Sequence, residues 1–133
     1  MPILVDNALN GGKFVVNGED YETVDGTCVR DYTHVFDIAT AHVASLHYLF
    51  DGGESDIFNI GAGSPKSIKQ VITEVEAQTG NSVDVEYGPR REGDAAKTDA
   101  NISKAIDTLG WEPIYSLEDI VKTEIEYQSA KKK

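Results

Sequence analysis

The residues best suited to chemistry in this chain are its three arginines, Arg30, Arg90 and Arg91. Each falls near an expected strand end or in a loop, whereas the lysines are scattered over expected helix surfaces. An ammonium group suffices for solubility; a guanidinium presents a flat fork of donors matched to two oxygens of a phosphate or carboxylate. The pattern is densest in Pro89-Arg-Arg-Glu-Gly-Asp94. Asp94 repels a phosphate, but a carboxylate accepts the two hydroxyl protons of a ribose or sugar diol. With Gly93 permitting a tight bend, an arginine and an aspartate three residues apart would grip a phosphate and its neighbouring sugar. The same residues admit a plainer reading, in which each arginine pairs with Asp31, Glu92 or Asp94 on a polar surface.

Other chemistries find less support. His42 and His47 lie five apart on an expected helix, so they face different ways, and with His34 they make no metal set. Cys28 is the only cysteine, which excludes an internal disulfide and a cysteine-rich zinc site and fits a packing role in a reducing compartment. No GxGxxG, GxSxG or phosphate-cradling GKS/GKT run occurs, and Asn59-Ile-Gly-Ala-Gly-Ser64 is too short a glycine turn for a dinucleotide fingerprint. A tyrosine four residues before a lysine in a helix, the spacing of a catalytic pair, is not expected in the chain. With 23 acidic against 12 basic residues and a formal net charge of −11, nucleic acid and anionic membrane surfaces are excluded as partners. No run approaches the roughly 20 apolar residues that span a bilayer, and the opening lacks the marks of a leader, so a cytoplasmic protein is expected.

These residues must be positioned by a mixed α and β framework of short strands feeding helices, one domain over residues 1–133. Phe14–Val16 reads as a strand closed by Asn17-Gly18, followed by the acidic loop Glu19–Thr27. Cys28–Val35 is a second extended run in which Tyr32 and His34 point the same way. Asp37 is placed to cap a helix over about residues 38–50 that is apolar on more than one side, so something should cover both faces. A short buried strand is expected at about 56–61. Ser67 and Gln70 have capping-box spacing before a helix that Gly80 stops, and Val83, Val85 and Tyr87 alternate as a half-buried strand. Asp99 can cap a helix ended by Gly110, and Ser116 with Asp119 opens the last one.

Taken in order, DYETVDGTCVRDYTHVFDIATAHV, FNIGAGSPKSIKQVI, PRREGD and LGWEPIYSLEDIV resemble the carboxy-terminal part of the UDP-glucose 4-epimerase family, in the extended short-chain dehydrogenase/reductase superfamily. The resemblance implies the α/β substrate-binding portion of such an enzyme without its Rossmann nucleotide-binding domain. It implies that Arg30 and Arg91 bind the diphosphate of a UDP-sugar, with Arg90 as companion, and that Asp94 accepts hydrogen bonds from the uridine ribose. Val15 and Asn17 would meet the uracil edge through backbone groups, although the family commonly has an aromatic where Asn17 stands. Thr98 would lie near the sugar. The parent activity implied is interconversion of UDP-glucose and UDP-galactose through an NAD-bound 4-keto intermediate. The NAD site and the catalytic tyrosine and lysine would belong to an amino-terminal domain that this chain does not include, so the chain alone is expected to be inactive, with neither cofactor nor metal bound. The helix over about 38–50 and the strand over about 56–61 would pack on that domain, and their uncovered apolar surface favours self-association. Two other readings stay open: part of a related nucleotide-sugar dehydratase or decarboxylase, and a free-standing or designed binding domain without catalysis.

Overall fold

A computed structural model describes residues 1–131. Its elements are α1 (Pro2–Asn10), β1 (Lys13–Asn17), β2 (Val29–Arg30), α2 (Val35–Phe50), β3 (Lys66–Ser67), α3 (Ile68–Thr79), β4 (Asp84–Gly88), β5 (Lys97–Thr98), α4 (Ser103–Leu109) and α5 (Leu117–Ala130). The mixed α and β class is as expected. Helix α1 adds to the elements anticipated from the pattern. Pro2 stands in its first turn, where a missing N–H costs nothing, and Leu4, Val5 and Ala8 turn one face inward.

That face closes the main core. Strands β1 and β4 pair in parallel, with Phe14 opposite Val85 and Val16 opposite Tyr87. Leu4, Val5, Val16, Val71, Ile72, Val75, Val83 and Val121 bury their side chains together between this pair and helices α1, α3 and α5. Each such aliphatic side chain contributes about 1.5–3 kcal/mol by leaving water. The ends of the helices are set locally. Ser67 and Gln70 form a reciprocal capping box on α3, Ser116 and Asp119 do the same on α5, and Gly80 ends α3 in the left-handed conformation at φ 70°.

A second, smaller core holds Ala41, Ala105 and Trp111, with Phe58, Ile60 and Leu109 against it, between α2 and α4. Asp37 ties it together, but not as the helix cap expected. Helix α2 starts earlier, at Val35, and its N-cap is His34, whose Nδ1 accepts from the Phe36 N–H at 3.1 Å. Asp37 points inward at 1% exposure. Its carboxylate accepts the N–H groups of Ile114 (3.0 Å) and Tyr115 (3.3 Å), and its carbonyl accepts the Trp111 indole N–H at 3.1 Å. The chain after Trp111 crosses the first turn of α2, and its part-buried amides find their acceptor there.

Three further expectations are corrected. Residues 56–61 form no strand, because no neighbouring segment offers them a hydrogen-bonded ladder among the described residues. Asp99 does not cap α4: it pairs with Lys97 at 3.3 Å, while Asn101 Oδ1 accepts the Ser103 N–H at 3.1 Å. The extended run after Cys28 is a strand only at Val29–Arg30; His34 is instead buried at the start of α2, with Nε2 3.0 Å from Thr123 Oγ1. Helix α2 is apolar on more than one side, as its composition anticipates: Ala41 and Ala44 pack into the small core, and Val35, Phe36, Ile38, Val43, Leu46, Leu49 and Phe50 stay exposed on the other face. No helix among the described residues is long and apolar enough to cross a membrane.

Replacing the buried Asp37 leaves two part-buried amides without their acceptor at once. Asp37→Ala is expected to cost about 3 kcal/mol, since each unsatisfied buried donor costs about 1–3 kcal/mol, with urea unfolding as the measurement.

Candidate functional site

The site grows from a strand of two residues. β2 is the centre of a three-stranded sheet, antiparallel to β3 with Val29 opposite Ser67, and parallel to β5 with Arg30 opposite Thr98. Pairing on both sides fixes the backbone of Arg30, and its Nη1 then donates to the Val29 carbonyl (2.8 Å) and the Ala95 carbonyl (2.9 Å). Nη2 is left 3.7 Å from Asp94 Oδ1. Arg91 approaches the same oxygen from the following loop, at 2.8 Å. The two guanidinium groups therefore converge on one carboxylate, whose Oδ2 makes no hydrogen bond among the described residues.

Arg30, Arg91 and Asp94 line an open cleft of about 210 Å3 with Phe14, Val15, Val16, Asn17, Cys28 and Ile68. Among the described residues β1 pairs with β4 alone, so one edge of β1 carries no ladder partner there. Two positive groups against one negative leave a local positive charge in a chain of net −11. Such a cleft favours an anion.

The structure brings together Val15, Asn17, Arg30, Arg91 and Asp94 and sets the other two expected residues elsewhere. Arg90 turns away from the cleft: its Nε donates to Asp20 Oδ1 at 2.7 Å, its Nη2 donates to the Asp20 carbonyl, and its guanidinium lies 4.3 Å from the centre of the Tyr21 ring. Hydrogen bonding from Arg90 holds the Asp20 carboxyl below its ordinary value. Thr98 lines a second cleft of about 490 Å3 with Asp31, Thr33, Phe58, Asn59 and Ile60, and this cleft meets the first at Arg30.

Two aspartates organise the surrounding loops and escaped the sequence reading. Asp31 is not an arginine partner. Its carboxylate accepts the N–H groups of Ala62 (3.1 Å) and Gly63 (3.3 Å), and a Cβ on Gly61 would lie 2.4 Å from Asp31 Oδ2, so the glycine turn exists to admit this carboxylate. Asp25 accepts from Thr27 N (3.0 Å) and Thr27 Oγ1 (2.7 Å) through one oxygen and from the buried Ser67 hydroxyl through the other. It thereby fastens the acidic loop to the start of α3. Gly26 permits the bend at φ +83°, where a Cβ would meet the Glu19 carbonyl at 2.1 Å. The signal for Asp25 was the DGT turn, an aspartate two residues before a hydroxyl side chain.

A tyrosine four residues before a lysine does occur, contrary to expectation, as Tyr127 and Lys131. Lys131 Nζ rests 4.3 Å over the Tyr127 ring at the end of α5. Neither residue lines either cleft.

Sequence and fold together place the chain in a known family. It belongs to the family whose model is described as GDP-mannose 4,6 dehydratase, which matches residues 2–124. Among its relatives, the UDP-glucose 4-epimerase of Rhizobium leguminosarum bv. trifolii is 45% identical over 124 residues, covering 92% of this chain and 38% of that protein. The UDP-glucose 4-epimerase of Rhizobium meliloti is 44% identical over the same shares. The crystal structure of UDP-glucose-4-epimerase from Stenotrophomonas maltophila with bound NAD and formylated UDP-arabinopyranose superposes with a TM-score of 0.95 at 38% identity, over 98% of this chain and 39% of that one. That from Bifidobacterium longum in complex with NAD+ and UDP gives 0.90 at 35% identity, over 97% and 38%. The chain thus spans well under half the length of the relatives it matches.

Burial works to raise the Asp25 carboxyl, but hydrogen bonds from Ser67 and from the Thr27 side chain and amide outweigh it and hold it below its ordinary value of 3.8. A lowered carboxyl stabilises the fold fully above the unfolded value and loses that contribution as pH falls through the folded one. The stability gap between wild type and Asp25→Asn is therefore expected to be constant near neutrality and to shrink below about pH 4, as read from urea midpoints across a pH series.

Proposed function

We propose that the cleft binds the diphosphate and ribose of a UDP-sugar and that the chain is the substrate-binding portion of a UDP-glucose 4-epimerase, which interconverts UDP-glucose and UDP-galactose. The observation that carries this reading is the convergence of Arg30 and Arg91 on Asp94 in one cleft beside the unpaired edge of β1. Arg30 and Arg91 take the pyrophosphate oxygens. Asp94 Oδ2, free of hydrogen bonds among the described residues, takes the ribose hydroxyls. The backbone groups of Val15 and Asn17 on the β1 edge meet the uracil, and the second cleft, with Thr98 on its wall, takes the hexose. Nucleotide contacts of this kind make no bonds, yet they supply the binding energy that keeps a turning sugar from escaping.

The residues present do not fit NAD. The glycine turn at Gly61–Gly63 is already closed around the Asp31 carboxylate, which would repel a dinucleotide's phosphates. Hydride chemistry in the parent belongs to its other portion, and the chain alone is read as a binding module without turnover. The exposed apolar face of α2, together with Ile57, is read as the surface that portion covers. Left uncovered, it should draw copies of this chain together.

Calorimetric titration with UDP tests the binding site. Arg91 is the cleaner target, since Arg30 also holds two backbone carbonyls. Arg91→Ala is expected to weaken UDP about ten- to a hundredfold with an unchanged melting temperature, the range set by charge-assisted hydrogen bonds. No heat from the wild type, or equal affinity after Arg91→Ala, would remove the proposal. Sedimentation velocity checks the apolar face: concentration-dependent association is expected for the wild type and should be lost on Leu46→Glu.

A further inference from the structure

Arg90 stands beside a residue of the cleft and yet turns its guanidinium elsewhere, with Nε and Nη2 both given to Asp20. Between Pro89 and Gly93 it is the one residue, among those described, whose side chain hydrogen-bonds or ion-pairs outside its own loop; the Arg91 contact to Asp94 stays within it. The anchor it grips is rigid. Tyr21 is 6% exposed and its N–H donates to the Gly26 carbonyl at 2.9 Å, within the loop that Asp25 fastens to Ser67. The packing of Arg90 on Tyr21 leaves no room for a side chain at Gly18, where a Cβ would come within 2.6 Å of Tyr21 Cε2 and 2.8 Å of Arg90 Cγ. Gly18 directly follows Asn17 of the cleft, and its N–H donates to the Gly88 carbonyl just before Pro89.

We propose that Arg90 is a positioning residue: the Asp20–Arg90–Tyr21 stack pins the loop from Pro89 to Asp94 and thereby fixes where the adjoining Arg91 guanidinium meets a nucleoside diphosphate. This rests on the reading of the cleft as a UDP site. Arg91 is 70% exposed in its side chain and, among the described residues, hydrogen-bonds through that side chain to Asp94 alone, so its position is set by its backbone. Arg90 and Arg91 are consecutive, so an anchor on one side chain restrains the backbone from which the other extends.

Asp20 separates this role from direct ligand binding by Arg90. Its side chain is 72% exposed, so Asp20→Asn should leave the fold intact. Removing a negative charge near an anion site would by Coulomb's law strengthen anion binding, and freeing a ligand-binding Arg90 would strengthen it further. A positioning stack predicts the reverse. UDP titration and amide hydrogen exchange are measured on wild type and Asp20→Asn. The expected result is a Kd about three- to fivefold weaker, the span of an exposed ion pair, together with faster exchange at Arg91–Asp94 and unchanged exchange in α3. Unchanged exchange at Arg91–Asp94 overturns the inference whatever UDP does, as does faster exchange with an equal or tighter Kd. Should the wild type give no heat with UDP, the ligand reading fails on its own, and exchange alone then decides whether the stack anchors the loop.

Discussion

The fold depends on where a strongly acidic chain places carboxylates that water cannot reach freely. A buried carboxylate is tolerated when N–H and O–H donors surround it, and each such cluster then joins whichever segments contribute the donors. Asp37 joins the first turn of α2 to the chain after Trp111, Asp31 joins the end of β2 to the glycine turn before α3, and Asp25 joins the acidic loop to the cap of α3. These three clasps do across the molecule what its very short strands cannot. β2, β3 and β5 contribute two residues each, and a ladder that short holds little by itself.

How much of this could be read from the sequence follows from how local each signal is. The capping boxes at Ser67 and Ser116 and the glycine stops at Gly80 and Gly110 rest on neighbours within a few residues and stand where the pattern puts them, and β4 falls within a residue of its expected place, although Tyr87, expected on the inner face, is exposed. The misreadings at Asp37 and Asp99 share one cause. An aspartate before an apolar run is an adequate cap by local rules, but the donors that claim Asp37 lie 77 and 78 residues away and carry no local mark. The strand expected at 56–61 failed for the complementary reason: composition suits it to a ladder, but a ladder needs a neighbour.

The cleft was legible in part. Selective use of arginine pointed to Arg30, Arg91 and Asp94, and these three do converge. The same rule could not separate Arg90 from Arg91, because both are arginines in one loop and only Asp20 and Tyr21, 70 residues or so away, decide which way each faces. Thr98, carried by resemblance, lies on the wall of the neighbouring cleft, across Arg30 from the first.

The double contact at Asp94 has a bearing on discrimination. With no guest present, the cleft carries its own internal counterion, so a simple inorganic anion arriving there must compete with a resident carboxylate for the same donors and gains little by doing so. A guest that brings hydroxyl groups as well as phosphate can reward the carboxylate it disturbs. Selectivity for a nucleotide over the cell's abundant small anions would then arise from a rival already seated in the cleft.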